Sequence, residues 1–157
     1  MNNTELANLN TGKDDWCTPI ELFNKLNKQY HFTLDPSSSN ENHLCQKWFT
    51  KEQDGLIQDW SNDIVFCNPP YGRELPKWVK KAYEESQKGA TVIMLIPARP
   101  DTQYWHNYIF PYANNIWFIK GRLHFSNSIN AAGFPSCIVE FTPNGKGLRK
   151  LVYNENL

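Results

Sequence analysis

The sequence predicts an α/β protein built on a mostly parallel sheet flanked by helices, with an antiparallel last strand. Three observations carry that prediction. Ile64-Val65-Phe66-Cys67 and the stretch over residues 91–96 are continuous apolar runs, as expected of strands buried on both faces. A segment with helical periodicity lies between them, which is the connection a parallel pair requires. The last two strand candidates are joined without a helix, so they are free to pair antiparallel.

Residues 1–13, rich in Asn and Thr, show no sustained periodicity and read as a flexible arm before one domain over residues 14–157. Thr18-Pro19-Ile20-Glu21 has the form of a capping box with proline at the first helical position. Leu22, Phe23 and Leu26 follow at helical spacing and predict a helix over residues 19 to about 29. His31-Phe32-Thr33-Leu34 predicts a short strand, stopped by Asp35-Pro36 and a Ser/Asn stretch. Farther on, a short helix is expected at residues 42–46, a short strand at 47–50 and a turn at Asp54-Gly55.

Ile64 to Cys67 then predicts a central strand. Pro76 opens a helix with Trp78, Val79, Ala82 and Tyr83 on one face. Lys80, Lys81, Glu84 and Glu85 form the opposite face, a solvated stripe, and Gly89 closes the helix. After the strand at 91–96, Asp101 or Thr102 is placed to cap a third helix running through Trp105 and Ile109. Residues 115–119 and 136–141 are the final strands. Ligands in open sheets of this kind sit beyond the carboxyl ends of the strands, and both Asp35-Pro36 and Asn68-Pro69-Pro70-Tyr71 fall at such ends.

Composition narrows the function. The 157 residues carry 16 basic and 16 acidic side chains, a formal net charge of zero, so no global field marks a non-specific nucleic-acid binder. Contact with DNA must come from a local patch. Six Trp, seven Tyr and nine Phe exceed what core filling requires and suggest ring platforms for bases. Cys17, Cys45, Cys67 and Cys137 are scattered without a CxxC pair and read as reduced, in a soluble cytoplasmic protein. His43 and Cys45 lack a second pair at metal-ligand spacing, so no metal site is expected. No apolar run approaches the ~20 residues of a membrane helix.

The tetrapeptide Asn68-Pro69-Pro70-Tyr71 carries the chemistry. An exocyclic amino group on a base is a poor nucleophile because its lone pair is delocalised into the ring. Acceptors aimed at both amino hydrogens localise that pair. Asn68 offers its side-chain oxygen and Pro69 its main-chain carbonyl, while the prolines fix φ and hold these acceptors in place. Tyr71 supplies a ring face for an extruded base. The bland alternative is a stiff turn after a strand.

Five blocks in order resemble the small DNA N-6-adenine methyltransferases of the Dam type, common in phages and prophages. They are Asp15-Trp16-Cys17-Thr18-Pro19, Leu34-Asp35-Pro36, Asp54-Gly55-Leu56 with Trp60, Asn68-Pro69-Pro70-Tyr71-Gly72, and Gly121-Arg122-Leu123-His124-Phe125 with Phe134-Pro135-Ser136. The resemblance implies a Rossmann-like class I methyltransferase fold, S-adenosylmethionine as donor and adenine in double-stranded DNA as acceptor. It also implies cofactor contacts at Trp16, Thr18, Pro19, Asp35, Pro36, Ser37, Phe49, Asp54, Leu56 and Asn68, with Asp54 accepting from the cofactor's adenine or else forming an ordinary turn. The glycines that usually follow the Asp-Pro pair are replaced by Ser37-Ser38-Ser39. Methylation of cytosine N-4, RNA adenine or protein glutamine suits the same tetrapeptide, and a catalytically silent nucleic-acid-binding module is a reading of another class.

Flipping a base costs a few kcal/mol that protein contacts must offset. Arg73, Lys77, Arg99, Lys120 and Arg122 lie on the catalytic edge or lead into the loop beside it, as phosphate contacts or as ordinary solvated charge. Asn127 and Asn130, in the polar stretch 121–135, are candidate base readers, against the alternative of a plain connecting hairpin. No stretch is left for a separate target-recognition domain, so the recognised site is expected to be short or the specificity modest.

Overall fold

The computed structural model describes residues 15–144 and a short strand at 152–153. The arm expected at residues 1–13 lies outside the described residues.

Helix α1, Ile20–Tyr30, buries Leu22, Phe23 and Leu26 as their spacing requires. The expected capping box does not form. Pro19 flanks the first turn, its carbonyl accepting from Phe23 N at 3.1 Å, and no side chain caps the helix because the Thr18 hydroxyl is engaged elsewhere. His31 ends α1 with a left-handed backbone, φ 56°. Phe32 N then donates to the Asn27 side chain and Thr33 N to Ile64 O. Strand β1 is therefore only Leu34–Asp35, later than the sequence suggests.

The helix expected over residues 42–46 is likewise absent. Leu44 N donates to the Asp35 carboxylate at 3.0 Å and Asn42 N to the Ser39 hydroxyl at 3.0 Å, so side chains take the donors a helix would need. Strand β2, Lys47–Trp48, follows. A 3-10 turn, Gly55–Ile57, sits where a turn is predicted.

Strand β3 is Ile64–Cys67, helix α2 Leu75–Gln87 and strand β4 Thr91–Pro97, close to expectation. Gly89, at φ 126°, turns the chain after α2. The third helix is a π-helical stretch, Trp105–Ile109, continued by α3, Phe110–Tyr112. Phe110 N reaches back five residues to Trp105 O, and Pro111, which has no N–H to give, follows this widened turn. Neither Asp101 nor Thr102 caps it; the Thr102 hydroxyl donates to Arg99 O. Strands β5, Asn115–Phe118, β6, Ser136–Phe141, and β7, Val152–Tyr153, complete the described elements.

The seven strands form one sheet in the order β2-β1-β3-β4-β6-β5-β7. Only β6 runs against its neighbours β4 and β5, and the other described pairs are parallel. Pairing register separates the two faces. Phe66, Ile93 and Glu140 are lateral neighbours on the face covered by α1, where Phe66 meets Phe23 edge-on at 5.3 Å and Glu140 accepts from the Tyr30 hydroxyl. Val65, Val92 and Phe141 lie on the other face beneath α2, whose Tyr83 reaches Phe141 and also packs on Tyr108 and Tyr112. Helices thus cover both faces, and beyond their first residues, Ile64 and Thr91, the central strands β3 and β4 are buried, as their unbroken apolar runs require.

The solvated stripe expected on α2 is half correct. Lys80 and Glu84 are exposed, but Glu85 is 1% exposed, with Lys81 at 2.8 Å, Lys88 at 3.5 Å and Trp60 N donating to it. Trp60 stacks on Trp78 of α2 with ring centroids 6.1 Å apart, and the Lys81 ammonium lies over the Trp60 ring. All four cysteines are free thiols. Among the described residues no helix is long and apolar enough to cross a membrane.

Candidate active site

Register brings the chemistry-bearing segments to one edge. Strands β1, β3, β4 and β5 all end there, and β6, being reversed, begins there, with Ser136 opposite Pro97 and Cys137 opposite Phe118. Asp35-Pro36, Asn68, Arg99, Lys120 and Arg122 therefore emerge on the same side of the sheet.

Asn68 follows the last residue of β3. Its Nδ2 donates to the carbonyl of Trp16 and to the Thr18 hydroxyl at 3.0 Å, while its Oδ1 is buried without a protein partner. The amide is thus oriented by two acceptors on one side and presents a bare acceptor on the other. Pro69 is buried beside it. The Tyr71 hydroxyl donates to Leu95 O at 3.0 Å, and burial pushes its pKa well above the usual phenol value.

The expectation of an open Tyr71 ring is corrected here. The ring is 6% exposed, set edge-on against Phe125 at 6.2 Å and Phe134 at 5.7 Å. Trp16 and Phe134, which meet edge to face at 5.5 Å, are the partly buried rings of this cluster. Phe125 and Phe134 are missed as site residues by sequence reasoning. The available signal was two aromatics inside an otherwise polar stretch.

The second group of residues gathers at the end of β1. Asp35 is 5% exposed, and burial raises its carboxyl to about 6 despite opposing hydrogen bonds from Leu44 N, Ser38 and Ser37. Phe49 N donates to Asp35 O, and Ser38 N to Phe49 O. The serines that stand in place of the family's glycines build the turn itself, Ser38 Oγ donating to Asn42 O and Ser39 Oγ accepting from Asn42 N. Gly55 packs against the carbonyl of Pro36, and Trp60 Nε1 donates to Gly55 O at 3.0 Å. Asp54, at φ 56°, accepts from Leu56 N at 3.0 Å, which is the turn role among its two expected ones. Phe49 and Leu56 are half-buried against the core at this end.

The polar candidates divide. Among the described residues Arg73, Arg99, Lys120 and Arg122 are exposed and carry no ion pair, whereas Lys77 is paired with Glu74 at 3.2 Å. Asn127 is not placed as a base reader. Its Oδ1 accepts from Cys17 N at 2.8 Å and its Nδ2 donates to Asp15 O at 3.0 Å. Asn130 is half-buried, its carbonyl accepting from the Ser128 hydroxyl. His43 and Cys45 meet through a 2.8 Å contact between imidazole Nδ1 and the Cys45 carbonyl, and the imidazole stacks on Trp48 at 3.6 Å.

Comparison with known proteins gives these residues a setting. A family model described as DNA N-6-adenine-methyltransferase (Dam) matches residues 6–136. A DNA N-6-adenine-methyltransferase of Escherichia phage T1 is 36% identical over 95 residues, covering 59% of this chain and 40% of that protein. Another of that name, from Haemophilus phage HP1, is 25% identical over 118 residues, covering 74% of this chain and 68% of its own length. The match thus spans less than half of the phage T1 protein.

Proposed function

The chain belongs to the DNA N-6-adenine-methyltransferase (Dam) family, and from that premise we propose that it methylates the exocyclic amino nitrogen of adenine in DNA, with S-adenosylmethionine as donor. The observation that carries the proposal is the Asn68 amide, held by Trp16 and Thr18 with its Oδ1 buried and unpartnered. A buried acceptor left unsatisfied costs about 1–3 kcal/mol, which an incoming amino group removes. The sheet order, with one reversed strand beside β4, supports a Rossmann-like class I methyltransferase fold for the described residues.

The residues present fit the cofactor. Asp35, buried and acidic at the end of β1, suits its polar groups, with Pro36, Ser37, Phe49, Asp54 and Leu56 around it and Trp16, Thr18 and Pro19 on the Asn68 side. When bound, S-adenosylmethionine supplies an electrophilic methyl group. Asn68 Oδ1 and the Pro69 carbonyl accept from the two amino hydrogens and draw the nitrogen lone pair out of the ring. Pro69 and Pro70 hold those acceptors through their fixed φ, and the Tyr71–Leu95 hydrogen bond ties the motif to β4. Phe134, partly exposed beside the Asn68 motif, offers its ring to the extruded base. Arg73, Arg99, Lys120 and Arg122 contact phosphates of double-stranded DNA, and the loop over residues 121–135 faces a short recognition site in the cytoplasm of a bacterial host.

The test is methyl transfer from labelled donor to DNA, followed by nucleoside analysis. N-6-methyladenine is expected, and Asn68→Ala lowers the rate by about 10²-fold or more while the protein stays folded. Label in cytosine, or none in DNA from a protein that binds the donor, would overturn the reading.

A further inference from the structure

The two acceptors that orient Asn68 belong to residues 15–19, a segment with no helix or strand of its own. Its position is set from outside. Asn127 bridges its backbone, accepting from Cys17 N at 2.8 Å and donating to Asp15 O at 3.0 Å. Ser126 adds two bonds, its N donating to Cys17 O at 2.9 Å and its hydroxyl to Thr18 O at 3.0 Å. Across the site, Asn42 Nδ2 lies 3.0 Å from Cys17 Sγ.

We propose that Asn127, supported by Ser126, is a positioning residue for methyl transfer: it fixes residues 15–18 so that Trp16 and Thr18 hold the Asn68 amide with Oδ1 toward the substrate. The inference rests on the catalytic reading of Asn68. A side-chain amide has an acceptor and a donor end of nearly equal size, so an unrestrained Asn68 could as well turn its NH2 toward the substrate amino group. Donor would then face donor. The two strap acceptors decide the orientation, and Asn127 places them. It is suited to the task because it must accept from one backbone group and donate to another; Asp lacks the donor and Ala lacks both.

The experiment compares kcat and DNA KM for the wild type, Asn127→Ala, Asn68→Ala and the double variant. Asn127→Ala is expected to lower kcat by about 10²-fold, as for an ångström of misplacement, with the DNA KM within about twofold. Asn127→Asp falls between. In the Asn68→Ala background Asn127→Ala should cost nothing further, since both act through one amide. A loss confined to the DNA KM, or one that adds in full to that of Asn68→Ala, overturns the proposal. Should Asn127→Ala fail to fold, Ser126→Ala undergoes the same cycle with an expected fall of about tenfold.

A substrate-free readout is the Asn68 side-chain amide in 15N NMR. Its protons exchange slowly in the wild type and faster in Asn127→Ala, whereas unchanged signals refute the positioning role. If that NMR change appears but no enzyme form methylates DNA, the functional reading fails and the positioning contact stands.

Discussion

Gly55 and Pro36 meet backbone to backbone, so closely that a Cβ on residue 55 would stand 2.1 Å from the Pro36 carbonyl oxygen and 2.9 Å from the Trp78 ring. The contact presses the 3-10 turn onto the end of β1, beside Asp35. Gly55→Ala must push one of them away, and we expect a loss of about 3 kcal/mol in unfolding free energy, at the upper end for overpacking. The urea midpoint at constant m value reports it. A midpoint equal to that of the wild type would contradict so close an approach.

Two lysines that are adjacent in sequence should behave differently. Lys81 is 13% exposed and faces the buried Glu85 at 2.8 Å, whereas Lys80 and Glu84 are both about half exposed at 3.8 Å. Lys81→Met leaves Glu85 short of its nearest cation, and about 3 kcal/mol of stability is expected to go. Lys80→Ala should change stability by less than about 0.5 kcal/mol. Chemical denaturation of the two variants side by side settles the contrast, and equal effects would refute it.

Asp35 makes stability depend on pH in the direction opposite to most carboxylates. Burial raises its carboxyl from 3.8 to about 6, so the folded state holds the proton more tightly than the unfolded state. Between about pH 4 and pH 6 the native protein therefore binds more protons, and the Asp35 contribution falls as pH rises through that window. The shift of about two units is worth at most about 3 kcal/mol. Asp35→Asn should match the wild type near pH 4 and be more stable at pH 7, while binding S-adenosylmethionine more weakly. Denaturation at both pH values checks the sign, and a variant that loses stability relative to the wild type on going to pH 7 would reverse it.

The arginines give a salt signature. Arg73, Arg99 and Arg122 are exposed and, among the described residues, carry no ion pair, so each Arg→Ala variant should lose about one phosphate contact. The slope of log K against log salt then becomes shallower by about one, with similar loss across DNA sequences. Lys80→Ala, on the α2 stripe, should leave the slope unchanged. Titrations of a duplex at several salt concentrations read both. A loss restricted to one sequence would instead make that arginine a base reader.

Legibility in the sequence followed locality. Strands β3, β4 and β6 and helix α2 were readable because burial on both faces, or on one helical stripe, leaves an unbroken or periodic apolar record. Residues 31–33 and 42–46 were not, because there side chains such as Asn27, Asp35 and Ser39 take backbone donors that propensity would assign to a strand or a helix. Thr18 illustrates the same competition, since its capping pattern yields to a hydrogen bond from Asn68, fifty residues away.

By itself the sequence determined the α/β class, the order of its main elements and the identity of the Asn68-Pro69-Pro70-Tyr71 motif, because hydrophobic periodicity and proline stiffness are properties of neighbouring residues. Only the tertiary structure decided which way the Asn68 amide points, that Tyr71 is enclosed by Phe125 and Phe134, and that Asn127 ties down residues 15–17. Each depends on partners far apart in the chain. Their meeting is set by sheet register and loop packing, which no local pattern encodes.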